Sequence, residues 1–259
     1  MNRLVLRASL ASACLLLLAG CGDGADGENG AKVADTKDQF GAAADALAAK
    51  LAAPGAPPAA DDPAVKAFEA ESERALTALG TPSLPIRGFD SYDDLCGKAV
   101  KVVGAWAALG TGNMSESAKA EAMNRNVTAH IDTIFTPLLF SAHCTAMHMP
   151  FLEESMTTAD LGSKKDAIEQ VRGGAYQQVN GLLEMAGAPD LAEERKTKIV
   201  DMLAADSGKF AVVLNADQRK AIGDAAVSIK AALPEQSRAK ADAIQIGFAQ
   251  APCGKLCTF

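Results

Sequence analysis

All three histidines of the chain lie between residues 130 and 148. The densest stretch is His143-Cys144-Thr145-Ala146-Met147-His148-Met149, followed by Glu153 and Glu154. Imidazole and thioether groups are good ligands for copper, and imidazole also suits zinc or nickel. His143 and Met147 are four residues apart, so one face of a helix carries both, and Cys144 and His148 form a second pair at that spacing. His143 and His148 are about 140° apart round a regular helix and converge only where the helix distorts. His143, Met147 and His148 are thus the candidate metal set, with copper or zinc as its ion. A Cys144 held in a disulfide would not join it as a thiolate. The same stretch also fits a helix end with core methionines and half-exposed histidines, because Met fills irregular gaps.

Other chemistry finds little footing. His130 and Asp132 diverge on a helix, where residues two apart do not face each other. No G-x-S-x-G, H-E-x-x-H or Gly-rich phosphate loop occurs. Gly173-Gly174 inside a helical pattern points to close helix packing rather than to a ligand. These observations favour a non-enzymatic protein.

The elements that must position these residues are helical. The chain is 49% hydrophobic but only 5% aromatic, β-branched residues are sparse, and no alternating strand pattern emerges. Residues 34–62 read as a short Ala-rich helix, with Phe40, Ala44, Leu47 and Leu51 on one stripe, and then a Pro/Ala linker. The main helical domain spans 63–259. Asp61 or Asp62 caps its first helix ahead of Pro63, and Val65, Phe68, Leu76 and Leu79 carry the stripe to about Gly80. After the loop TPSLPIRGFD, Ser91 caps a helix bearing Leu95, Ala99, Val102, Trp106 and Leu109, which Gly110 to Asn113 ends. Ser115 opens a longer stretch in which Pro137 predicts a kink or break and Pro150 an end. Ser163 caps a helix ending near Gly187. Further helices follow at about 190–205, 207–213 and 216–233, and a last one from Pro234 to about Ala249. The expectation is an all-α bundle of six to nine helices.

The first twenty residues carry an address. Arg3 and Arg7 precede an apolar run from Ala8 to Gly20. That run is shorter than the roughly 20 residues a bilayer span needs and fits the core of a secretory signal peptide. It ends Leu18-Ala19-Gly20-Cys21, which resembles the lipobox of bacterial lipoproteins. The resemblance implies cleavage before Cys21, diacylglycerol on its sulfur, acylation of the new amino terminus and a body tethered to the lipid bilayer. Residues 1–20 are then the signal peptide and 21–33, rich in Gly and Asp, a flexible tether. In that family Asp after the cysteine retains the protein at the inner membrane. Gly22 stands there, which favours the outer membrane, facing the periplasm.

Loss of residues 1–20 removes Arg3 and Arg7 and no acid, which takes the formal charge from −7 to −9. There is no long basic run, so nucleic acid is not an expected partner. Four cysteines remain beyond Cys21: Cys96, Cys144, Cys253 and Cys257. An even count in an exported protein predicts two disulfides, with three possible pairings. Favoured is each tail cysteine, Cys253 or Cys257, joined to Cys96 or Cys144, which would staple the C-terminal tail to the helical body. The alternative is Cys96–Cys144 with Cys253–Cys257. The C-x₃-C spacing differs from the C-x-x-C of thioredoxin-type catalysts.

Finally, Leu191-Ala192-Glu193-Glu194-Arg195-Lys196 with Ile199 can be laid over Leu214-Asn215-Ala216-Asp217-Gln218-Arg219 with Ile222. Leu214 and Gln218 of the second copy resemble the L-T-x-x-Q motif of Spy/CpxP-type periplasmic stress proteins, with Asn215 where that motif has Thr. In the first copy only Leu191 matches. Asn215 and Gln218 also make a capping box, a solution open to any helix start. The resemblance implies a helical cradle that holds unfolded envelope proteins. Together these features predict a lipid-anchored, periplasmic, non-enzymatic helical binding or chaperone-like protein. The alternative is a lipoprotein that binds or senses a transition metal through His143, Met147 and His148.

Overall fold

The structure, a computed structural model, describes residues 28–53, 56–78, 89–112 and 114–258. The leader, the lipobox with Cys21, Gly22 and the loop 79–88 lie outside the described residues. Those described contain no strand and form eleven α-helices, nine of them seven or more residues long. The chain is all-α. No described helix is long and apolar enough to cross a membrane.

The chain divides into two compact units, and the division falls between Cys144 and Thr145. In the first unit, α1 (Glu28–Ala52) packs against α2 (Pro63–Ala78) and α3 (Phe89–Ala107), and α3 packs against α4 (Glu116–Ala129). Helix α1 begins inside the stretch expected to be a tether. It is a full member of the unit, because Phe40, Leu47 and Leu51 need a partner surface and find it there. The Phe40 ring lies 5.3 Å from that of Phe68 and 5.2 Å from that of Phe140, within the range of favourable tilted pairs. Asp62 caps α2 as anticipated, its Oδ1 accepting from the Ala64 N–H at 2.8 Å. Lys50 of α1 donates to the same carboxylate at 2.6 Å. Helix α3 starts at Phe89, so Ser91 lies inside it rather than at its cap. Gly110 ends that segment in the left-handed region, at φ 69°, where a Cβ would be strained.

Ser115 opens α4, its side chain accepting from the Ala118 N–H. The break that follows comes at His130, not at Pro137. Helix α5 (Ile131–Ser155) then runs through both Pro137 and Pro150. A proline inside a helix costs roughly 3 kcal/mol. Here the residues after Pro137 are buried without interruption from Leu138 to Ala142, and that packing outweighs the local penalty. The disulfide Cys96–Cys144 joins α3 to α5 across 48 residues.

The second unit holds α6 (Thr158–Ser163), α7 (Lys165–Gly187), α8 (Glu193–Ala211), α9 (Ala216–Ser228), α10 (Arg238–Gln250) and α11 (Lys255–Thr258). Helix α10 packs on α8 and α9, and α7 packs on the same two. Their shared core contains Ile168, Val179, Leu182, Ile199, Leu203, Phe210, Ile222, Ile244 and Phe248. Ser163 does not cap α7. Its hydroxyl donates back to the carbonyls of Ala159 and Asp160, and the capping box belongs to Thr157 and Asp160 at the start of α6. The helices expected at 190–205 and 207–213 are one helix, α8, because buried Asp206 and Ser207 sit on its inner face and no breaker separates them. Close helix approach occurs at Gly247, where a Cβ would lie 1.9 Å from the Ser207 Oγ, and at Gly223, which faces Gln245. It does not occur at Gly173, where a Cβ would meet nothing within 4 Å.

Candidate functional site

The most elaborate polar construction in the second unit surrounds the C-terminal hook, residues 251–258. Its parts come from distant places in the chain. Arg219 occupies the first turn of α9, and its residue is only 8% exposed. Its Nε donates to the Leu214 carbonyl at 3.0 Å and its Nη1 to the Ala251 carbonyl at 2.8 Å. Its Nη2 donates to the carbonyls of Pro252, at 3.2 Å, and Ala211. One planar cation thus ties the α8–α9 turn to the entry of the hook, which uses the fixed fork geometry of guanidinium. Burial lowers the Arg219 pKa from its ordinary value, as desolvation does for any cation.

Arg172 does the same from α7. Its Nε donates to the Val213 carbonyl at 2.9 Å and its Nη2 to the Leu256 carbonyl at 2.6 Å. Glu153, near the end of α5, supplies the opposite charge. Its Oε1 accepts from the Lys255 N–H at 2.8 Å and its Oε2 from the Leu256 N–H at 2.9 Å. Those two amides open α11 and have no helical partner of their own. Lys255 reaches back to the carbonyls of Glu154 and Met156, and Leu256 is fully buried.

The second disulfide closes within this hook, between Cys253 and Cys257. The favoured pairing of the tail cysteines with Cys96 and Cys144 is therefore overturned, and the alternative pairing holds. The reason is distance along the path of the chain. Cys96 and Cys144 face each other from α3 and α5, whereas a single turn brings Cys253 and Cys257 to a Cα separation of 5.3 Å. The tail is stapled to itself and docked on the body by two guanidinium groups and a carboxylate. Beside it lies a cleft of about 290 Å³, walled by Arg219, Lys220, Gln245, Phe248, Cys253 and Cys257. It combines two cations, the Asp224 carboxylate, an amide, an aromatic face and a disulfide. Lys220 pairs with Asp224 at 2.5 Å on the exposed rim, which raises the Lys220 pKa.

The candidate metal residues all lie on α5. Met147 is buried, and His143 and His148 are half-buried. Cys144 is in a disulfide, so it offers no thiolate. Among the described residues no group of three or more His, Cys, Asp or Glu side chains is placed to hold a metal ion. His130 sits with its ring 5.9 Å from that of Trp106. The capping box of Asn215 and Gln218 forms as expected. The Gln218 N–H donates to Asn215 Oδ1 at 2.9 Å, and the Asn215 N–H donates to Gln218 Oε1 at 3.2 Å. At the other copy, Ala192 gives α8 no side-chain cap.

Sequence reasoning passed over Arg172, Arg219 and the role of Glu153. A signal was present for the two arginines. Arg172 falls four residues after Ile168 and seven before Val179, on the buried stripe of α7. Arg219 falls three before Ile222 on the buried face of α9. An arginine at a core position must find several acceptors or leave a charge uncompensated. The chain matches no family model, no curated protein and no solved structure.

Proposed function

We propose that this chain is a bacterial lipoprotein, anchored through acylated Cys21 and facing the periplasm, that works as a non-enzymatic helical binding protein. The observation that carries this is the oxidised state of the body: the four cysteines beyond the lipobox form two intrachain disulfides. Such bridges persist outside the reducing cytosol, where the leader resemblance would send the chain. The cleft beside the hook offers one concave, mixed-polarity surface for a ligand, the kind of place where binding sites form. The arginines around it act on backbone carbonyls, a structural use of charge that suits a rigid binding frame. Its client in this proposal is an unfolded envelope protein, by the likeness of Leu214 and Gln218 to the L-T-x-x-Q motif.

Mass spectrometry of the native amino terminus tests the anchor. The expected species begins at Cys21 with acyl chains on its sulfur and nitrogen; an intact Met1 or a bare Cys21 thiol overturns it. The delipidated body should slow the aggregation of thermally unfolding citrate synthase. No slowing at about tenfold excess, enough to saturate even a micromolar site at micromolar client, overturns the client-binding role.

The alternative, a transition-metal lipoprotein, has one structural observation in its favour. Helix α5 continues through residues 143–148, which keeps His143 and Met147 on one face. Copper or zinc retained by untagged protein, and lost in His143→Ala and His148→Ala, would replace the first reading with this one.

A further inference from the structure

One disulfide of this chain is sealed and the other is open. Cys96 and Cys144 are each 2% exposed. Cys253 is exposed, and with Cys257 it walls the cleft beside the hook. The two bridges also differ in what they hold. Cys96–Cys144 spans 48 residues, whereas Cys253–Cys257 spans four, so the second constrains little beyond the hook itself. Inside its ring lie Lys255 and Leu256, whose N–H groups reach Glu153. Helix α11 has only four residues, too few to persist without an outside constraint.

We propose that Cys253–Cys257 is a thiol-exchange site for a dithiol reductant, and that its reduction releases the hook from Glu153 while the helical body stays folded. The chain is here the substrate of the exchange, not its catalyst. A thiolate of the dithiol attacks the exposed Cys253 Sγ. A mixed disulfide forms, the Cys253–Cys257 bond breaks, and Cys257 leaves as a thiolate that takes a proton from water. The second thiolate of the reductant then attacks its own sulfur in the mixed disulfide and expels Cys253 as a thiolate, which is protonated in turn. Two electrons pass from the dithiol, which ends as a disulfide, to the bridge, which ends as two thiols.

The cleft suits this step. Arg219 lines it, and the hydrogen-bond partners given above for its guanidinium are backbone carbonyls. The one carboxylate that lines the cleft, Asp224, pairs with Lys220, and the Arg219 guanidinium beside Cys253 and Cys257 favours a departing thiolate. The consequence is mechanical. With the ring open, the Lys255 and Leu256 amides are no longer fixed together before the Glu153 carboxylate, and the Leu256 carbonyl no longer stays on Arg172. This inference goes beyond the anchoring and binding proposed above and depends on neither.

The test uses the full mature chain under native conditions with dithiothreitol as the dithiol, followed by thiol alkylation and peptide mapping. Cys253 and Cys257 should become labelled at least about tenfold faster than Cys96 and Cys144, as accessibility controls exchange. In the same samples, amide exchange at Lys255 and Leu256 should rise by at least about tenfold while that of α7, α8 and α9 stays unchanged. Equal labelling of the two bridges, labelling only in denaturant, or labelling without faster exchange at Lys255 and Leu256 would each overturn the proposal. The double variant Cys253→Ser, Cys257→Ser should show the fast exchange without reductant and no further rise with it. Exchange like that of the wild type in this variant also overturns it.

Discussion

Replacing Arg219 by methionine removes one side chain and four hydrogen bonds. The carbonyls it serves fall into two classes. Those of Ala211 and Leu214 belong to fully buried residues, whereas Ala251 and Pro252 lie at the more open entry of the hook. Bonds from a charged donor contribute about 1.5–3 kcal/mol each, and the larger part of any loss comes from buried acceptors left without a partner. Water can serve the two hook carbonyls in the variant, and the Ala211 carbonyl keeps the Leu214 N–H at 3.2 Å. The Leu214 bond therefore counts in full and the Ala211 bond about half, or about 2–4 kcal/mol together. Relief of the cost of burying the guanidinium offsets part of that. A net loss of about 2 kcal/mol is expected for Arg219→Met. With a urea slope of roughly 3 kcal/mol/M for a chain of this length, the unfolding midpoint should fall by about 0.7 M. The discriminating arm is Arg219→Lys. A lysine keeps the charge but ends in one compact ammonium, which cannot reach carbonyls on both sides of a planar fork. It should lose nearly as much stability as methionine. A lysine variant whose midpoint stays within about 0.3 M of the wild type, a loss of roughly 1 kcal/mol at that slope, would refute the argument. Charge alone, not the fork, would then hold the hook.

Other consequences can be checked in parallel. Removing the two bridges should cost unequally, about 4 kcal/mol for Cys96→Ser, Cys144→Ser and about 2 kcal/mol for Cys253→Ser, Cys257→Ser, by the entropy of loops spanning 48 and four residues; urea midpoints read the difference. Gly247→Ala should destabilise by about 1–3 kcal/mol, since its Cβ would sit on the Ser207 hydroxyl. Gly173→Ala, in open space on α7, should stabilise by about 0.5–1 kcal/mol; thermal melts of the two give opposite signs. Asp160 accepts from the Thr157 hydroxyl at 2.6 Å and from the Thr157 N–H at 3.0 Å, and it pairs with Lys164. These contacts hold its pKa well below the ordinary 3.8. A depressed carboxylate contributes stability above its unfolded pKa and loses it as pH falls through the folded one. The α6 capping box should therefore survive below pH 3.8, and a carboxyl carbon titration centred on that value would contradict it.

How much of this was legible in the residues depends on the reach of each interaction. The all-α class, the C-terminal limit of α7, the Asp62 and Ser115 caps and the Asn215–Gln218 box are local. Each is decided by apolar spacing or by a side chain bonding three residues on, so the pattern carries it. The proline in α5 misled because a local penalty of about 3 kcal/mol competes with burial of Leu138, Leu139 and Phe140, and only the folded chain shows which wins. The disulfides misled in the opposite direction. Counting cysteines gives the number of bridges but not their pairing, and a short tail that must be held to the body fits long-range bonds as well as a local one. The chain ties it down with Glu153 and Arg172 instead, which reach Leu256 across 103 and 84 residues. No spacing rule announces a carboxylate and a guanidinium that meet one leucine's N–H and carbonyl from two different helices. What the sequence did hold was the anomaly that such a structure requires: an arginine on the apolar stripe of α7 and another on that of α9. A cation at a buried position is costly unless acceptors are brought to it. In an amphipathic helix the misplaced charge, more than the stripe itself, marks where a distant segment of the chain must dock.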